Sequence, residues 1–278
     1  MDYIYSIILA AVQAITEFLP ISSSGHLVIF HRFLDSKLLD NLAFDVMLHA
    51  GTFLAVLIYF WPDVVNLVKG FFATIFRGGL THDFNRQLPR LLIVGTLPAA
   101  LVGFFLGGFI EQTFRSVNYV IAMLIIGGLL FIVFEKVSRK SRNLDSLTFM
   151  DSFIIGLMQV LAFIPGTSRS GITITAGLMT GFKRAEAARF SFLLSLPIIF
   201  GATIRKITQV ASSDFSLVFV FVSILGAVLS ALIGYGVIKF LLNFLEKHSL
   251  VYFAVYRFIL AGILIFLFLT LGINEIVP

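Results

Sequence analysis

Two short polar stretches interrupt an otherwise apolar chain: EFLPISSSGHL, from Glu17 to Leu27, and FIPGTSRSGIT, from Phe163 to Thr173. The first brings a carboxylate, three hydroxyls and an imidazole close together. A hydroxyl attacks phosphorus when a base takes its proton, and Glu17 and His26 are the bases at hand. Ser23 is the expected nucleophile, with attack by His26 or by activated water as the alternatives. Gln13 precedes Glu17 by four residues, so the two share a helix face. The second stretch has hydroxyls at Thr167, Ser168, Ser170 and Thr173. Gly166 and Gly171 allow close backbone approach, and the guanidinium fork of Arg169 matches phosphate oxygens. A helix starting just after this break would aim free N–H groups at an anion. One stretch thus supplies base and nucleophile, and the other a phosphate cradle.

Plainer roles compete for the same residues. Glu17 suits an interfacial helix end, and Gln13 an interhelical hydrogen bond. Ser22 and Ser24, flanking Ser23 and followed by the flexible Gly25, suit helix caps. His26 suits an interfacial histidine, and Arg169 an ion-pair partner for Glu17, which is compatible with a resting site. His31 and His49 have no comparable polar company and read as structural. EKVSRKSR, Glu135 to Arg142, reads as a solvated loop. Glu186 and Arg189 read as buttresses of the helix after the cradle, and Asp45 as a cap.

The elements that must position these groups are membrane helices. The chain has 278 residues, is 59% hydrophobic and contains 32 phenylalanines. Its mean hydropathy is +1.02. Only 13% of its residues are charged, against about 25% in soluble domains. The apolar runs do not alternate as barrel strands do, and several approach the ~20 residues needed to cross a bilayer. The expected fold is an all-α polytopic membrane protein. Its spans fall near 43–61, 88–110, 117–134, 189–204, 215–244 and 252–272, with 189–204 short for a full span. Residues 62–76 suit the membrane interface. The N-terminus has no basic n-region, so no cleavable signal peptide is expected. The absence of cysteine excludes disulfides, thiolate metal sites and a cysteine nucleophile. The net charge of +5 belongs to loops between apolar runs, so no nucleic-acid partner is expected.

Segments 3–34 and 148–182 each hold a short apolar helix, a Pro/Ser/Gly break and a second apolar piece. Broken helices at membrane depth persist only where protein or a wet cavity surrounds them, so each reads as a re-entrant pair. At a constant offset of 146, Ser6 meets Ser152, Gln13 meets Gln159, and Ser22, Ser24 and Gly25 meet Ser168, Ser170 and Gly171. An internal duplication follows, with repeats of about 1–134 and 148–278 in one integral membrane domain. Three spans separate the two hairpins, which makes the repeats inverted. Twelve basic residues, from Lys69 through Lys136–Arg142 to Lys247, then share one face, against Arg32, Lys37, Arg115, Arg205 and Lys206 on the other. The first face is expected to be cytoplasmic and the first hairpin to open outward.

QAITE (Gln13–Glu17), SSSGH (Ser22–His26), PGTSRSGIT (Pro165–Thr173) and ARFSFLLSLP (Ala188–Pro197) resemble the paired motifs of bacterial undecaprenyl-pyrophosphate phosphatases. The resemblance runs the length of the chain. It implies hydrolysis of undecaprenyl diphosphate to undecaprenyl phosphate and inorganic phosphate, recycling the lipid carrier of cell-wall synthesis, and bacitracin resistance on overproduction. It implies a multi-pass protein of the bacterial plasma membrane with its site on the outer face, and Mg²⁺ or Ca²⁺ as cofactor. By motif, Glu17, Ser23, His26 and Arg169 are central, with Ser168, Ser170 and Thr173 beside the phosphate. Gln13 fills a family position that holds Glu or Gln. With no charge there, Glu17 is the metal ligand left on this helix, and a cation is expected to arrive with the diphosphate. The competing class is an inverted-repeat transporter or flippase for a lipid phosphate or other anion, which needs a binding site but no nucleophile. Gly103 and Gly107 permit close helix packing, within one chain or between copies in a homodimer.

Overall fold

A computed structural model of the chain describes residues 1–23, 25–27, 30, 39, 42–77, 84–114, 116–210 and 215–271. Ser24, His31, Arg32, Lys37 and Arg115, named above, lie outside the described residues. The described helices are α1 (Asp2–Phe18), α2 (Leu42–Tyr59), α3 (Trp61–Arg77), α4 (Phe84–Thr113), α5 (Val117–Val137), α6 (Phe149–Gln159), α7 (Arg169–Met179), α8 (Arg184–Val210), α9 (Leu217–Lys247) and α10 (Val251–Leu271). Six of them, α2, α4, α5, α8, α9 and α10, are long and apolar enough to cross a membrane. The chain is an all-helical, multi-pass membrane protein. Large apolar side chains such as Phe104, Phe105 and Leu232 remain exposed on its outside, as a lipid-facing surface requires.

Two expectations change. The apolar run 189–204 looked short for a span, but α8 covers Arg184–Val210. The helix continues past the apolar run through Arg205 and Lys206, because hydropathy marks the greasy part of a helix and not its hydrogen-bonded ends. EKVSRKSR is not a solvated loop. Glu135 is buried and accepts bonds from Lys140 (3.2 Å), Arg184 and the Leu250 amide (3.3 Å). Arg142 grips Asp151 with two parallel bonds of 3.1 and 2.7 Å. These charges reach across to the starts of α6, α8 and α10 and stitch them together. Glu186 does buttress, accepting from the Leu144 amide at 3.1 Å, and Arg189 pairs with Asp63 of α3 at 2.6 Å.

The two polar breaks are built alike. Leu19 and Ile164 each adopt extended backbone ahead of a proline, which disfavours helix at the residue before it. Ser22 and Ser168 then take left-handed backbone, φ +75° and +69°, a conformation rare outside glycine. Each of these serines accepts a bond from the amide three residues on, Gly25 (3.3 Å) or Gly171 (3.2 Å). In the second break Ser168 thereby caps α7. The first helices of the two segments are anchored alike too. Ser6 of α1 donates to the Val222 carbonyl of α9 at 2.8 Å, and Ser152 of α6 donates to the Leu91 carbonyl of α4. Gly226 and Gly95 make the room, since a Cβ at either would sit against Ser6 Oγ or Ser152 Oγ.

Candidate active site

Glu17 lies one residue before the end of α1, and Arg169 is the first residue of α7. The breaks bring these two helix ends together. Ser170 Oγ reaches the carbonyls of Glu17 and Leu19, both at 3.4 Å. Glu17 becomes a hub of three donors. Its Oε1 accepts from Arg169 Nη2 at 3.0 Å, and its Oε2 accepts from Ser23 Oγ at 3.0 Å and Gln13 Nε2 at 3.3 Å. The ion pair is nearly shielded, with side-chain exposures of 12% for Arg169 and 10% for Glu17. Such a buried pair persists because each charge offsets the desolvation of the other. A hydroxyl bonded to a carboxylate is placed to lose its proton, and a guanidinium beside it is placed to hold an anion.

The remaining expected residues take other positions. His26 bonds the Ser22 carbonyl through Nδ1 (2.7 Å) and the Tyr256 hydroxyl through Nε2 (2.6 Å), with its ring stacked on that of Tyr256. A carbonyl only accepts, so Nδ1 carries the proton, and in the neutral ring Nε2 accepts from Tyr256. Neither nitrogen is bonded to Ser23 or Glu17. Thr173 Oγ1 serves the carbonyls of Arg169 and Ser170 and pairs with Ser191 Oγ at 2.6 Å. Ser168 and Ser170 pair with each other at 3.2 Å. Ser170 and Thr173 thereby fasten the second break to α1 and α8. Gly171 packs under Phe131. Gly166 has φ +92°, and a Cβ there would strike the backbone of Val120.

Sequence reasoning missed two participants. His49, expected to be structural, lines the same cavity as Glu17 and Arg169. Arg257 of α10 is fully buried, and its guanidinium gives all five N–H groups to backbone carbonyls: Leu124 (3.1 Å), Pro20 (3.4 Å), Thr167 (3.0 Å), Met123 (2.7 Å) and Gly166 (3.0 Å). It ties both breaks to α5. Gly127 is required beneath it, because any side chain there would collide with Nη2. The signal for Arg257 was a single arginine inside the apolar run 252–272.

The family model described as bacitracin resistance protein BacA matches residues 6–263. The chain belongs to the BacA family. Among curated relatives, the undecaprenyl-diphosphatase of Rubrobacter xylanophilus is 41% identical, covering 95% of this chain and 97% of that protein. Undecaprenyl-diphosphatase 2 of Stutzerimonas stutzeri is 43% identical over 96% of this chain and 99% of its own. The undecaprenyl-diphosphatase of Geotalea daltonii is 42% identical over 98% and 100%. The resemblance drawn from the paired motifs is therefore borne out. The BacA match spans both breaks and all but the end of α10.

Proposed function

We propose that this chain hydrolyses undecaprenyl diphosphate to undecaprenyl phosphate and inorganic phosphate in the bacterial plasma membrane. The observation that carries this reading is Glu17 holding Ser23 and Arg169 on its two oxygens, in a chain related over its length to undecaprenyl-diphosphatases. The diphosphate enters between the two breaks and its terminal phosphate displaces the Glu17–Arg169 contact. Arg169 then holds phosphate oxygens and stabilises the charge that builds in the transition state. Ser23 Oγ attacks the terminal phosphorus, and its proton passes to Glu17. The bond to the bridging oxygen breaks, and undecaprenyl phosphate leaves with that electron pair and the proton from Glu17. Water then attacks the phosphoserine, giving one proton to Glu17, and inorganic phosphate departs as the Ser23 hydroxyl reforms. His26, held by Ser22 and Tyr256, fixes the helical turn that carries Ser23.

Mg²⁺ or Ca²⁺ fits this centre in part. Among the described residues no cluster of three or more His, Cys, Asp or Glu side chains could hold a metal. Glu17 and the buried, unpaired Gln13 Oε1 are hard oxygen ligands, so the two would hold a cation whose other ligands come from the diphosphate. Such a cation would neutralise phosphate charge. The matching breaks support an inverted duplication with repeats of about 1–134 and 148–278, and the basic bias of the opposite face supports a site open to the outside. The test is phosphate release from undecaprenyl diphosphate by purified protein in detergent, where transport has no meaning. Release is expected, is expected to fall with a chelator and to return with Mg²⁺ or Ca²⁺. No release under any of these conditions would leave a carrier as the better reading.

A further inference from the structure

Beside the Glu17–Arg169 pair, α2, α4, α6 and α8 enclose a cavity of about 180 Å³. Two of its lining side chains carry buried polar atoms with no hydrogen-bond partner. Gln159 is 1% exposed, and neither its Nε2 nor its Oε1 has a partner. Thr203 Oγ1, on α8, is also buried and unpaired. Leaving such groups unpaired is costly, and native proteins seldom do so without a reason. Gln159 is the repeat counterpart of Gln13. The Gln13 amide donates to Glu17, four residues on, whereas Gln159 has no such carboxylate four residues on, since Phe163 stands where Glu17 would be. Lys206 completes the wall. The negative charge of Glu17 is already offset by Arg169, so Lys206 leaves the cavity with a positive surplus. Apart from His49, the rest of the lining, including Val46, Ala99, Ile198 and Ile199, is apolar.

We propose that this cavity is a second phosphate subsite, in which Gln159, Thr203 and Lys206 bind the lipid-attached phosphate of the diphosphate while Arg169 holds the terminal one. The inference rests on the phosphatase reading above and deepens it. An amide N–H, a hydroxyl and an ammonium are the donors a phosphate diester-like group asks for, and the apolar lining suits the first isoprenyl carbons beyond it. When the bridging P–O bond breaks, negative charge gathers on the lipid phosphate, where Lys206 offsets it. A substrate with two phosphates fills both subsites and a monophosphate fills one, which makes the cavity a determinant of preference for diphosphates.

The test uses the full-length protein in detergent, with Lys206→Met and Gln159→Leu compared with the parent. Phosphate release from undecaprenyl diphosphate is measured with polyprenyl monophosphate or inorganic phosphate as product inhibitor. Each variant is expected to weaken inhibition by the lipid monophosphate about tenfold and to leave inhibition by inorganic phosphate within about twofold, as loss of one charge-assisted bond predicts. Gln159→Leu should melt no lower than the parent, because it removes an unpaired amide from a buried site. Equal weakening of both inhibitors, or of neither, overturns the subsite. A parent that releases no phosphate at all overturns instead the phosphatase reading on which the subsite rests.

Discussion

Ser23 and Arg169 stand at matching places in the two similar polar stretches, 146 residues apart, and both converge on Glu17. One stretch has a hydroxyl at that place and the other a guanidinium, so a single carboxylate meets the proposed nucleophile on one oxygen and the proposed anion-binding group on the other. Glu17→Gln tests the base directly. The amide preserves much of the shape but cannot take the serine proton, so kcat should fall by about 10²–10⁴, with KM for undecaprenyl diphosphate changing far less. A fall in affinity at unchanged kcat would show Glu17 to be a binding group. Glu17, Ser23 and Arg169 were legible because their types announce chemistry and their motifs place them at chain breaks. The orientation of His26 was not, because Tyr256 lies 230 residues away in sequence and only α10 brings it near.

The breaks hold their form through elements that carry no motif. Arg257 reads backbone carbonyls alone, and carbonyls leave no trace in a side-chain pattern. For the same reason the turn of His49 into the cavity was hidden, since it depends on how α2 rotates against its neighbours. Arg257→Lys offers three donors in place of five and strands carbonyls from both breaks. Each unpaired buried group costs about 1–3 kcal/mol, so the melting temperature in detergent should fall by about 5 °C or more. Turnover should fall with it, because Pro20, Gly166 and Thr167 set the approach of α1 to α7. An unchanged melting temperature would show that Arg257 is not a strut. Helix existence was legible in the apolar runs, but the length of α8 was not, because its ends are polar.

At the scale of the molecule, the first helices of the two broken segments each lie against a distant span: α1 on α9 and α6 on α4. The proposed duplication rests on the constant offset, and the paired positive-φ serines support it. The proposed inverted arrangement makes a prediction that the absence of cysteine renders simple. A single cysteine at the exposed Phe215 should react with a membrane-impermeant maleimide on intact cells, and one at the exposed Arg139 only after permeabilisation. Labelling of both from outside would contradict the topology. The central claim is that the two breaks divide the work of phosphoryl transfer, and the most direct test is phosphate release from undecaprenyl diphosphate by parent, Ser23→Ala and Arg169→Ala proteins in detergent. Release about 10²-fold or more below the parent is expected for each variant, and near-parental release by Arg169→Ala would contradict the account.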